Sequence, residues 1–133
     1  MRIGELADTA GVTTKTIRYY ESIGLLDPPA RTESGYRSYG LPAIERLDFV
    51  KQAQASGLSL ADIRSILDIK DRGGASCEHT RELLARHLDE LDRKIAELHT
   101  ARAELRSMYE RSAALDPGDC TDANRCQVIT DTA

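Results

Sequence analysis

Cysteine is scarce: three thiols in 133 residues, an odd number, which is poor material for structural disulfides and better material for metal binding or redox sensing in a reducing compartment. Long apolar runs are missing as well. No stretch approaches the roughly 20 apolar residues of a membrane span, and "MRIGELADTAG" lacks the apolar centre of a signal peptide. The expectation is a cytoplasmic protein with no membrane partner. Nor is there a surplus of positive charge: the net charge is −4 and the isoelectric point near 5.4. Binding to a polyanion must therefore rest on where the cations stand, not on how many there are. No nucleophile sits beside an evident base and no Gly-rich phosphate loop follows a strand, so the chain does not read as an enzyme.

What is present is helical patterning. Ile3, Leu6, Ala7 and Ala10 recur at i, i+3, i+4, i+7, the apolar stripe of a short amphipathic helix that Gly11 ends. Thr13 is placed to cap a second helix running through "TKTIRYYES" to Gly24, with Val12 as a staple. Two short helices about a tight glycine turn make a helix-turn-helix pattern. Ile17 and Tyr20 can face the first helix, while Lys15, Arg18, Tyr19 and Ser22 share another face that is cationic, aromatic and hydroxylated. Such a face suits the major groove, where Arg and Lys donate to guanine edges or phosphates and Tyr donates to phosphates.

In "GLLDPPARTESGYRSYG", Pro28 and Pro29 forbid helix, Ser34-Gly35 supplies a turn, and residues 36 to 39 suit a strand. This predicts a small hairpin, or wing, in which Arg31, Tyr36, Arg37 and Tyr39 repeat the Arg and Tyr chemistry of the preceding helix. Residues 1 to 51 carry seven basic and seven acidic side chains, so the segment is basic only on that face. Next, Pro42 opens a helix with Ile44, Leu47 and Val50 at helical spacing and Gly57 as its stop. Ser59 and Asp62 have capping-box spacing before a helix carrying Leu60, Ile63, Ile66 and Leu67.

From Thr80 to Arg111 there is no Gly and no Pro. Leu84, Leu88, Leu91, Ile95, Leu98 and Leu105 form a heptad seam broken once, at Arg102. At ~1.5 Å per residue this helix spans on the order of 48 Å, more than the N-terminal module can cover, so a two-chain coiled coil is expected. Cys77 lies just before it and Cys120 and Cys126 just after it, on the order of 45 Å apart within one chain. Antiparallel pairing of two such helices brings Cys77 of one chain beside Cys120 and Cys126 of the other. Three converging thiols suit a soft or borderline ion, Zn, Cd, Pb or Hg, rather than Mg or Ca. His79 or Asp119 could complete a tetrahedral zinc site, and a disulfide between the two tail cysteines competes with metal binding.

The run "IGELADTAGVTTKTIRYYESIGLL" followed by "RTESGYRSY" resembles the DNA-binding domain of MerR-type transcriptional regulators, and the resemblance continues to about residue 112. It implies a mainly α architecture. A winged helix-turn-helix module (1–40) is followed by a helix pair completing the DNA-binding domain (41–72), a coiled-coil dimerisation helix (78–112) and a metal-binding loop and tail (113–133). It also implies a homodimer on a pseudo-palindromic operator in double-stranded promoter DNA, where effector binding distorts the DNA so that RNA polymerase can engage. Thr14, Lys15, Arg18 and Tyr19 match the recognition helix; Arg31, Tyr36, Arg37 and Tyr39 match the wing. The tail resembles the loop of the heavy-metal-responsive branch, with Cys120 and Cys126 as loop ligands. Cys77 matches a position that is serine in copper(I) and silver(I) sensors and cysteine in sensors of divalent metals. The extra thiolate offsets the extra positive charge. The implied function is activation of metal resistance or efflux genes by Zn, Cd, Pb or Hg held between subunits. The competing reading within the family is a thiol redox switch, although its iron-sulfur branch uses four loop cysteines and this chain has two.

Overall fold

A computed structural model describes residues 1–33, 35 and 37–130, with Arg37 described through its backbone alone. Along the chain run α1 (Ile3–Ala10), α2 (Thr14–Ser22), β1 (Ala30–Arg31), β2 (Arg37–Ser38), α3 (Leu41–Ala55), α4 (Leu60–Asp71), α5 (Cys77–Ser112), a 3-10 turn (Pro117–Asp119) and α6 (Gln127–Thr130). Two compact units result, the first spanning Met1–His87 and the second beginning at Leu88.

In the first unit each helix starts and stops where the local chemistry dictates. Gly11 takes φ 69°, a left-handed conformation that closes α1, and the Lys51 ammonium donates to the Ala10 carbonyl at 2.9 Å. The dihedral is what calls for glycine here; a Cβ on Gly11 would stand 3.0 Å from that ammonium, the mobile end of a lysine that could shift by a few tenths of an ångström. The Thr13 hydroxyl accepts from the Thr16 N–H at 3.1 Å and begins α2. Gly24, φ 81°, then lets the Leu25 N–H return to the Tyr20 carbonyl at 2.9 Å. Pro42 occupies the first turn of α3. At the start of α4 the expected capping box is complete: Ser59 Oγ accepts from the Asp62 N–H at 3.1 Å and the Asp62 carboxylate accepts from the Ser59 N–H at 3.2 Å.

The core of this unit gathers Leu6, Ile17, Leu25, Leu47, Val50 and Ile63, all essentially inaccessible. They come from α1, α2, the turn after α2, α3 and α4, and all but Leu25 stand at positions the apolar spacing predicts. The wing is a two-stranded antiparallel ribbon in which Ala30 pairs with Ser38 and Arg31 with Arg37. Ser34 and Tyr36 lie outside the described residues, so the turn placed at Ser34-Gly35 is followed only through Gly35, φ 82°.

The long helix differs from expectation at its start. Cys77 is its first residue, not the residue before it, because the Ser76 carbonyl already accepts from the Thr80 N–H at 2.9 Å. Leu83, outside the heptad seam, is the α5 side chain that enters the core, at 2 % exposure. The seam itself is open in the single chain: Leu84, Leu88, Leu91, Ile95, Leu98 and Leu105 are between 42 % and 69 % exposed. Among the described residues no helix is long and apolar enough to cross a membrane.

Candidate DNA-binding face and thiol positions

The expected reading face lies on α2, whose other side is buried. Ile17 is inaccessible and Tyr20 is 7 % exposed, its hydroxyl donating to Gln54 Oε1 on α3 at 3.3 Å. With that side locked, Lys15, Arg18, Tyr19 and Ser22 project outward as their spacing requires. Lys15 and Arg18 are exposed and have no ion-pair partner among the described residues. Tyr19 is half exposed, its ring 6.3 Å from that of Tyr20 and inclined at 48°. The Ser22 hydroxyl is turned back to the Tyr19 carbonyl at 2.6 Å. Thr14, the first residue of α2, is half-buried.

On the wing, Arg31 is exposed and its backbone pairs with Arg37, so the two arginines occupy opposite positions of one ribbon. Tyr36 and the Arg37 side chain lie outside what is described. Tyr39 requires a correction. The resemblance of the wing placed it among the DNA contacts, yet it is 4 % exposed, and its hydroxyl donates to the Glu21 carboxylate on α2. Its backbone exchanges hydrogen bonds with Met1, the Tyr39 N–H donating at 2.7 Å and the Met1 ammonium donating to the Tyr39 carbonyl at 2.6 Å. A large ring next to an apolar core gains more from burial than from solvent, provided its hydroxyl finds an acceptor. Tyr39 therefore ties the wing to α2.

A further tie was not legible from spacing. Arg46 on α3 donates through Nε to the Leu25 carbonyl at 2.6 Å and grips Asp71 at the end of α4 with both terminal nitrogens, at 2.7 and 3.0 Å. The hydrogen bonds from Arg46 hold the Asp71 carboxyl below its ordinary value, and the same pairing raises the Arg46 guanidinium.

All three thiols are free and exposed. Cys77 opens α5. In the second unit, short side-chain turns shape the loop that carries the other two. Asp116 accepts from the Gly118 N–H and Asp122 from the Asn124 N–H, each at 2.9 Å, and the Gln127 amide donates to the Asp116 carbonyl at 2.9 Å. Cys120 follows the 3-10 turn, and the Cys126 carbonyl accepts from the Ile129 and Thr130 N–H groups as α6 begins. Within the chain, no group of three or more His, Cys, Asp or Glu side chains among the described residues converges as metal ligands. As donors the three thiols fit a thiophilic cation.

The possible fourth ligand is also placed differently. His79 lies with Nε2 2.8 Å from Ser65 Oγ on α4. His87, eight residues further along α5, has Nε2 2.8 Å from Asp62 Oδ2. That contact, ahead of the opposing desolvation, lowers the Asp62 carboxyl below its ordinary value. Periodicity gave no sign of either pairing, because both partners are polar residues on helices joined through the Gly73-Gly74 break.

A winged helix-turn-helix with a cationic, aromatic helix face defines a DNA-reading class of protein. Residues 1–70 match the MerR HTH family regulatory protein family, and residues 44–108 match the MerR DNA-binding family. The chain belongs to the MerR family of transcriptional regulators. It is 41 % identical over 110 residues to the mercuric resistance operon regulatory protein of Bacillus cereus, covering 83 % of each chain. It is 40 % identical over 121 residues to the heavy metal-dependent transcription regulator 2 of Rhizobium meliloti, covering 90 % of this chain and 82 % of that one. Among solved structures it resembles the transcription regulator PbrR691 from Ralstonia metallidurans in complex with lead(II). The TM-score is 0.80 at 32 % identity, covering 100 % of this chain and 99 % of that one.

Proposed function

We propose that this chain is a metal-responsive regulator that binds promoter DNA as a homodimer and activates metal resistance or efflux genes when a divalent thiophilic ion binds. Lys15, Arg18 and Tyr19 on α2, with Thr14 at its start and Arg31, Tyr36 and Arg37 on the wing, contact the operator. Cys77 of one subunit and Cys120 and Cys126 of the partner subunit hold the ion, one of Zn, Cd, Pb or Hg, and the bound ion supplies the cross-link that distorts the operator for RNA polymerase. The observation that carries this reading is α5. It is a 36-residue helix whose apolar seam is exposed and whose sequence neighbours at its two ends are the free thiols. Such a helix is about 54 Å long, whereas thiolates sharing an ion lie within a few ångströms of it, so one chain does not complete the site. An antiparallel pair on the seam Leu84, Leu88, Leu91, Ile95, Leu98 and Leu105 does. The relatives support the metal: one is named for mercuric resistance, one for heavy-metal dependence, and one structure holds lead(II).

Replacing Cys77 by Ser tests the assignment. Operator affinity of the reduced, metal-free dimer is expected to be retained while metal-induced transcription is abolished. An undiminished metal response in that variant would remove Cys77 from the site. Reversible activation of metal-free wild type by oxidant would favour the thiol redox switch instead.

A further inference from the structure

Through Nε2, His79 and His87 both contact α4. Ser65 Oγ has one hydrogen, and at 2.6 Å it is directed to the Asp62 carbonyl. Its lone pairs therefore accept from His79, so Nε2 of His79 carries a proton. An ionised Asp62 likewise only accepts, so Nε2 of His87 donates to it. The same Asp62 Oδ2 also accepts from the Ser59 N–H, so one carboxylate both caps α4 and anchors α5.

On α5, His79, Leu83 and His87 stand at successive steps of four and form one stripe. Leu83 is buried in the core between the two histidine contacts. Cys77 lies two residues before His79, about 200° around the helix axis, where side chains do not face each other. From α4 the contacts continue: Asp71 at its end is held by Arg46, and Arg46 holds the Leu25 carbonyl just beyond α2.

We infer that His79 and His87 are positioning residues, a two-point clamp that seats the Cys77 end of α5 on α4. Movement imposed on Cys77 by a bound ion is thereby passed through α4 and Arg46 to α2. This rests on the proposed function for the source of the movement, whereas the clamp itself does not need metal.

The test uses the full-length reduced dimer and the variants His79→Ala, His87→Ala and His87→Gln, the last of which keeps an N–H donor near the Nε2 position. Without metal, amide hydrogen exchange over residues 77–87 is expected to be at least about fivefold faster in both alanine variants and close to wild type in His87→Gln. Exchange in α1 and α2 should stay unchanged, which shows that the variants fold. With zinc or cadmium, affinity is expected to stay within about threefold of wild type, while the ratio of induced to basal transcription drops about fivefold or more, the scale of a typical coupling between sites.

Unchanged exchange in the metal-free alanine variants would overturn the clamp. Loss of zinc or cadmium affinity in His79→Ala as large as in Cys77→Ser would make His79 a ligand and overturn its assignment. Absence of any metal response in wild type would overturn the proposed function, and with it the relay, while the exchange result would still uphold or overturn the clamp alone.

Discussion

Two side chains expected from the sequence to touch DNA, Arg18 and Tyr39, end in opposite environments, and the difference sets opposite expectations for their variants. Arg18 is exposed on α2, so Arg18→Ala should leave thermal stability nearly unchanged and weaken operator binding by about 1–3 kcal/mol if it reads a base edge. Equal affinity for the operator at moderate salt would contradict that role. Tyr39 is buried with its hydroxyl on Glu21, so Tyr39→Phe should cost about 0.5–1.5 kcal/mol in denaturant unfolding, the typical net worth of one hydrogen bond. Arg46 carries more, since it holds a carbonyl and a carboxylate together: Arg46→Met is expected to lose about 1–3 kcal/mol. The pairing also has a pH signature. Asp71 titrates lower in the folded chain than in the unfolded one, so its contribution is fully present above the unfolded value, about pH 4, and is lost as pH falls through the folded value. Acid unfolding of Arg46→Met should therefore depend less steeply on pH below about 4 than that of wild type.

At the scale of elements, the helix ends were the most legible part of the chain. Thr13, Gly11 and the Ser59–Asp62 box act through residues three or four apart and Pro42 through its own fixed φ, and such short-range chemistry is written in the sequence itself. Removing the cap by Ser59→Ala should cost about 0.5–2 kcal/mol by thermal or denaturant unfolding. What spacing does not carry is the partner of a polar side chain across elements. Tyr39 on Glu21, Arg46 on Leu25 and Asp71, and the two histidines on α4 all depend on how helices lie together. An Arg or Tyr near a basic face looks the same in sequence whether it points to a ligand or back into the fold. Burial of Leu83 is hidden in the sequence for a related reason. The heptad seam accounts for the face exposed in one chain, while the start of α5 uses an adjacent stripe to join the core.

For the whole molecule, the exposed seam and the thiols make one connected expectation. Leu98→Asp places a charge at a seam position 69 % exposed in the single chain, so its effect on that chain's fold should be small, while sedimentation should show dissociation to monomer. A variant that stays dimeric would move the dimer interface off α5. The proposed function makes the thiols a divalent-metal sensor shared between subunits. It is tested most directly by promoter-specific transcription in vitro, with the reduced protein titrated with Zn, Cd, Pb, Hg and Cu(I) in competition. Activation by one or more of the divalent ions but not by Cu(I) is the predicted result; activation by none of them, with activation by oxidant in metal-free protein, would contradict it.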